Sequence, residues 1–162
     1  MSVRAALITI STSKSRGEGE DTSGKRLTEL AGTIGAAIAA HEVIPDDREL
    51  IEERLRHWAD AERCDLVLTT GGTGFAPTDV TPEATRAVIE REAPGIPEAM
   101  RGASREHTRH WLLSRGVAGI RGRTLIVNFP GNPRSIDEAG EAIADALPHA
   151  LDLLAGRHSH HD

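Results

Sequence analysis

Two acidic residues and two glycine-containing loops carry most of the chemistry this chain could do. Gly71-Gly72-Thr73-Gly74 directly follows the apolar run Asp65 to Thr70. Successive glycines permit positive φ and close approach of a ligand, and their N–H groups can converge on an anion. The helix opening near Thr81 adds the positive end of its dipole. Alone, such a turn is equally well a tight connection. Asp79 alters the balance, because a bare carboxylate repels phosphate unless it holds Mg²⁺ that bridges to phosphate oxygens. The other reading of Asp79 is a residue that orients the loop before Thr81. Asp46 poses the same choice: with Glu49 three residues on it reads as an ordinary helix cap, and close to Asp79 it would complete a two-carboxylate metal site. In the third loop, Asn128, Pro130 and Gly131 stand where a strand ends. Asn128 either hydrogen-bonds a ligand or satisfies backbone groups there.

Other features carry less. Gly19 to Lys25 (GEDTSGK) has P-loop spacing, but Arg26 replaces the Ser/Thr that would hold Mg²⁺, and the preceding apolar run ends well before Gly19. A nucleotide hydrolase built on Lys25 is therefore a minor alternative. The tail HSHH at His158–His161 reads as a solvated segment, and Arg105, His107 and Arg109 as a basic patch or a charged helix face. Cys64 is the sole cysteine, which excludes an intramolecular disulfide and a cysteine zinc cluster. At a strand entrance it reads as a structural thiol.

The elements that must position these residues follow from periodicity. Val3 to Ile10 reads as a buried strand and Ser11 to Thr22 as a loop. Ser23 caps a helix whose buried face is Leu27, Leu30, Ala31, Ile34 and Ile38. His41 to Pro45 is a short strand. Asp46 or Asp47 caps a helix with the apolar stripe Leu50, Ile51, Leu55 and Trp58. Asp65 to Thr70 is a third strand. Thr81-Pro82-Glu83 opens a helix in the order capping hydroxyl, proline, acid. Pro94-Gly95 breaks it, and Ile96, Met100 and Ala103 mark another. Val117 to Arg121 reads as an edge strand and Thr124 to Asn128 as a firmer one. Ser135 and Glu138 form a capping box, and Pro148 interrupts the last helical stretch.

Strands alternating with helices predict an α/β fold, a mostly parallel sheet with helices on both faces in three layers. One domain over residues 1–155 and a disordered polar tail over residues 156–162 are expected. In such sheets ligands bind beyond the carboxyl ends of the strands, where the Asp46, Gly71–Asp79 and Asn128–Pro133 loops lie. The formal charge is −6, with 25 acidic and 19 basic side chains, which argues against a broad nucleic-acid or anionic-membrane surface. No segment approaches the ~20 apolar residues of a membrane span, and no signal peptide is evident. A cytoplasmic protein is expected.

At these residues the sequence resembles a known family. GGTGFAPTDVTPEAT followed by VIEREAPG is similar to the molybdopterin adenylyltransferases of molybdenum cofactor synthesis, including the gephyrin G domain. DTSG at Asp21–Gly24, IPDD at Ile44–Asp47, LSRGVAGIRGRTLIVNFPGNP at Leu113–Pro133 and LPHALDLL at Leu147–Leu154 extend the resemblance in order over nearly the whole chain. It implies Mg²⁺-dependent transfer of AMP from ATP to the terminal phosphate of molybdopterin, a homotrimer or hexamer, and handover of the product to a molybdenum insertase. It implies that Asp79 and Asp46 are essential and hold the metal. Gly71, Gly72, Thr73 and Gly74 would bind pterin and phosphate, with Ser104, Ser114, Asn128, Pro130 and Gly131 also at the substrate. The competing expectation is a non-catalytic pterin-binding module or oligomeric scaffold on the same residues.

Overall fold

A computed structural model describes residues 3–157. Six strands form one sheet in the order β2-β1-β3-β6-β5-β4. They are β1 (Val3–Ile10), β2 (Ala36–Ile44), β3 (Leu66–Thr70), β4 (Arg91–Glu92), β5 (Ala118–Arg121) and β6 (Thr124–Phe129). The pairs β1–β2, β1–β3 and β3–β6 are parallel; β5 and β4 join antiparallel. The three-layer, mostly parallel arrangement is the one the alternating pattern predicts.

Side-chain alternation splits the core in two. Leu7, Leu66, Leu68, Leu125, Val127 and Phe129 face one side. There they meet α2 (Thr22–Thr33), α5 (Gly95–Ser104), α6 (Pro133–Ile143) and α7 (Leu147–Leu154). Ala6, Ile8, Ile10, Val67 and Ile126 face the other, covered by α3 (Arg48–Arg56) and α4 (Thr81–Val88). Burial on both faces explains why β1, β3 and β6 read as nearly continuous apolar runs. Cys64 belongs to the second layer and is 1 % exposed; burial pushes its thiol pKa up, as suits a structural thiol.

Several local expectations are corrected. The Ser11–Thr22 segment contains a short helix, α1 (Thr12–Ser15). The α2 helix is capped by Asp21, whose carboxylate accepts the Gly24 N–H at 2.9 Å, not by Ser23, whose hydroxyl donates to Gly131 O at 2.5 Å. That helix ends at Thr33 because Gly35 turns at φ +76. Ile38 therefore lies in β2, 40 % exposed, and β2 is longer than His41–Pro45. The short strand β4 has no periodic signal in the sequence; its pairing with β5 makes β4 the edge. Asn132, not Ser135, caps α6 by accepting the Arg134 N–H. Pro148 opens α7 rather than interrupting a helix. His158–His161 lie outside the described residues.

From β1 the chain crosses first to β2 on one side and later to β3 on the other, so the strand order reverses between β1 and β3. Crevices at such a reversal are the usual ligand sites of open α/β sheets.

Candidate functional site

Three strand ends converge at that reversal. Gly71 follows β3, and its N–H donates to Phe129 O of β6 at 3.1 Å. A Cβ on Gly71 would stand 2.3 Å from Ile10 O of β1, and φ there is +98. Glycine is required by conformation and by space. Gly131 packs its Cα face on Gly71, and the Thr70 hydroxyl donates to Pro130 O at 2.6 Å. Gly72 is also left-handed, at φ +69, and a Cβ would meet the Thr81 hydroxyl at 2.3 Å. That hydroxyl donates to Gly71 O at 2.9 Å. It locks the loop instead of capping α4, which has Val80 at its cap and no side-chain cap bond.

Both candidate carboxylates stand at this loop. Asp46 does not cap α3; Asp47 does, accepting the Leu50 N–H at 3.2 Å. Asp46 Oδ2 instead accepts from the Thr12 N–H at 3.1 Å and the Thr12 hydroxyl at 2.9 Å. Its Oδ1 faces Gly72, 3.3 Å from where a Cβ would be. Asp79 closes the turn after Gly74: its Oδ2 accepts the Ala76 N–H at 3.0 Å, and its own N–H donates to Ala76 O. The same Oδ2 lies 2.9 Å from a Cβ built on Gly74. Thus Asp46 and Asp79 flank successive segments of one glycine loop.

No group of three or more His, Cys, Asp or Glu suited to a metal occurs among the described residues. Two carboxylates with hydroxyls nearby are still an adequate donor set for Mg²⁺. That ion takes hard oxygen ligands and is commonly held by one or two carboxylates plus substrate phosphates. The residues present fit it in that shared mode.

On one side of the Gly71–Gly131 contact lies a cleft of about 280 Å³, lined by Met100, Trp111, Ser104, Ser114, Asn128 and Pro130 among others. It gathers the expected residues Ser104, Ser114, Asn128 and Pro130 from three separate stretches. Gly131 lies across the contact, in a groove of about 380 Å³ with Lys14, Asp21 and Ser23. Asn128 is 2 % exposed. Its Oδ1 accepts the Val117 N–H at 3.1 Å, and its Nδ2 donates to the Thr69 and Thr85 hydroxyls at 3.1 and 3.0 Å. Those bonds make it a brace between β6, β3 and α4, and the same residue also lines the cleft.

Two arginines at the site escaped sequence reasoning. Arg101 of α5 lines the cleft, with one N–H on Gly116 O at 3.1 Å. Arg115 adjoins Ser114 and reaches across to Glu83 at 2.7 Å. The hydrogen bond from Arg115 holds the Glu83 carboxyl below its usual range, and the same bond raises the Arg115 pKa. Arg115 lies inside the LSRG motif, which was the available signal. Arg105 lies over the ring of the cleft residue Trp111, and His107 lies beside Glu138 at 3.4 Å. In the near P-loop, Lys25 lies within α2 and pairs with Glu20 at the surface.

A six-stranded α/β sheet with two carboxylates around a glycine loop at its reversal point describes a class of small-molecule-binding domains. Residues 6–149 match the family described as "Probable molybdopterin binding domain", and the chain belongs to that family. It is 40 % identical over 158 residues to the molybdopterin adenylyltransferase of Helicobacter pylori J99, covering 96 % of this chain and 90 % of that protein. It is 41 % identical over 154 residues to the molybdenum cofactor synthesis protein cinnamon of Drosophila melanogaster, covering 94 % of this chain but only 26 % of the fly protein. The crystal structure of the molybdopterin biosynthesis enzyme MoaB from Thermus thermophilus superposes with a TM-score of 0.89 at 47 % identity, covering 95 % and 97 % of the two chains.

Proposed function

We propose that this chain is a molybdopterin adenylyltransferase acting in molybdenum cofactor biosynthesis. The observation that carries the reading is the placement of Asp46 beside Gly72 and of Asp79 beside Gly74, in a chain 40 % identical to an enzyme of that name over nearly its full length.

The chemistry asks for positioning and charge neutralisation more than for a strong nucleophile. An oxygen of the terminal phosphate of molybdopterin forms a bond to the α-phosphorus of ATP. The bond from that phosphorus to the β-bridging oxygen breaks, and pyrophosphate leaves with the electron pair. A phosphate monoester has its second pKa near ~6, so at neutral pH it attacks largely as the dianion without a general base. The cleft offers the flat apolar surfaces of Trp111, Met100 and Pro130 to a ring system, with Ser104, Ser114 and Arg101 as polar partners. In this reading the nucleotide would take the groove lined by Gly71 and Gly131. Asp46 and Asp79 would hold Mg²⁺, which supplies charge neutralisation on the phosphates. The Gly71 N–H is spent on Phe129 O, so main-chain N–H groups for the same oxygens would come from Gly72 to Gly74.

The assay is direct: wild-type protein, Mg²⁺, ATP and molybdopterin are incubated, and adenylylated molybdopterin and pyrophosphate are quantified. Asp79→Asn and Asp46→Asn are expected to lower turnover at least ~100-fold with unchanged melting temperature, and chelation of Mg²⁺ to stop it. Binding of molybdopterin by a wild type that forms no product would replace this reading with a non-catalytic module. The resemblance also carries a homotrimer or hexamer, read by light scattering, and handover to an insertase, read by co-purification. A cytoplasmic setting belongs to the same proposal; no helix among the described residues is long and apolar enough to cross a membrane.

A further inference from the structure

We infer that Arg115 is the positioning residue that fixes the Asp79 loop to the wall of the cleft. One residue meets four points of the segment from Thr73 to Glu83. The Arg115 main-chain N–H donates to Thr73 O at 2.8 Å. Its Nε donates to Gly74 O at 2.7 Å, and one terminal nitrogen donates to Asp79 O at 2.8 Å. Both terminal nitrogens reach the Glu83 carboxylate, at 2.7 and 3.3 Å.

The flanks of Arg115 are what make this a link and not merely a brace. Ser114 and Gly116, on either side of it, line the cleft, and the Gly116 Cα packs beside Asn128 O. The carbonyls that receive the guanidinium belong to Gly74 and to Asp79 itself, the two ends of the turn carrying the carboxylate. Arg115 therefore does not touch the Asp79 carboxylate; it acts through the backbone that aims it. The other ties of that turn are the Asp79–Ala76 pair and the Thr81 N–H to Gly72 O, and both are internal to the loop. Only Arg115, among the hydrogen bonds described, anchors Gly74 and Asp79 to a strand-bearing segment outside it. A planar fork with several fixed donors can meet these oxygens together, and a single ammonium cannot.

The activity arm of the test rests on the adenylyl-transfer reading; the exchange arm does not. Arg115→Ala and Arg115→Lys are compared with wild type and with Glu83→Gln, which leaves both carbonyl contacts of Arg115 in place. Amide hydrogen exchange over residues 73–80 is expected to rise in Arg115→Ala and Arg115→Lys and to change little in Glu83→Gln. Turnover in Arg115→Ala is expected to fall ~100-fold, the effect of misplacing a reacting group by about 1 Å. The half-saturating Mg²⁺ concentration should rise, with the KM for molybdopterin within about threefold of wild type. Arg115→Lys should recover only a small part. Unchanged exchange over residues 73–80 overturns the inference, and so does a loss confined to the KM for molybdopterin. A wild type that forms no product removes the adenylyl-transfer reading alone, and amide exchange still decides the role of Arg115.

Discussion

Replacing Gly71 by alanine tests how closely the three strand ends approach at their crossing. Two costs combine. A left-handed φ of +98 penalises an L side chain by roughly 1–2 kcal/mol. The new Cβ would also stand 2.3 Å from Ile10 O, a main-chain atom at the end of the interior strand β1, so that strand end must shift. Overpacking of this kind costs about 1–3 kcal/mol. Against these stands a gain of about 0.4–1 kcal/mol from the stiffer unfolded chain, leaving a net loss of roughly 1–4.6 kcal/mol. Gly17→Ala is the control: its φ is +78, but nothing lies within 4 Å of the added atom. It carries the conformational cost without the collision, a net of roughly 0–1.6 kcal/mol. The two variants should therefore differ by the collision term, or about 2–12 °C in melting temperature for a domain of this size. Thermal and urea unfolding of both variants, with turnover measured in parallel, reads the difference. Equal stability of Gly71→Ala and Gly17→Ala would refute the close approach of β1 to the loop.

Asn128→Ala should cost about 2–4 kcal/mol by stranding the Thr69 and Thr85 hydroxyls and the Val117 N–H; intact stability with lost turnover would instead make Asn128 a ligand contact. Acid should destabilise the fold, because Glu83, Asp60 and Glu42 have lowered pKa values. Hydrogen bonds from Arg115 and Arg121 depress the first two. At Glu42, burial works upward and is outweighed by hydrogen bonds and charge from Arg54 and the Trp58 N–H. Stability from depressed carboxylates is complete above their ordinary values of 4.5 and 3.8 and drains away as pH falls through the lower folded values. Urea midpoints between pH 7 and 3 should therefore drop steeply at the acid end, less so in Glu42→Gln, and an identical profile in that variant would contradict the Glu42 contacts. Lys25→Ala should leave turnover within about twofold, since only a surface pair with Glu20 is lost; loss of activity would revive the P-loop alternative.

The chain's own pattern determined the layers and the loops. Runs such as LVLTT and TLIVNF are apolar on both faces, which only a strand covered by helices on both sides can bury, and glycines after such a strand announce a turn that needs positive φ. Asp79 was visible because a carboxylate in an anion-binding loop requires an explanation, whereas Asp46 read locally as a helix cap and was singled out by the family resemblance. What the sequence left open were choices among equivalent neighbours. Asp46 and Asp47 both offered an oxygen at a plausible cap position, while Asp21 and Asn132 took the caps expected of Ser23 and Ser135; the winner depends on the direction from which the chain enters the helix. Ser23 is drawn off by Gly131 O, 108 residues away, and Thr81 by Gly71 O; Asp46 is released from capping and held by Thr12. The grip of Arg115 on Gly74, Asp79 and Glu83 had no local trace at all, because its partners lie 32 to 41 residues away. Residue types and spacing decide which groups can do chemistry, since hydrogen-bonding capacity and φ preference are local. Which of them meet, and which are used up by the fold, is decided only when the strand ends come together.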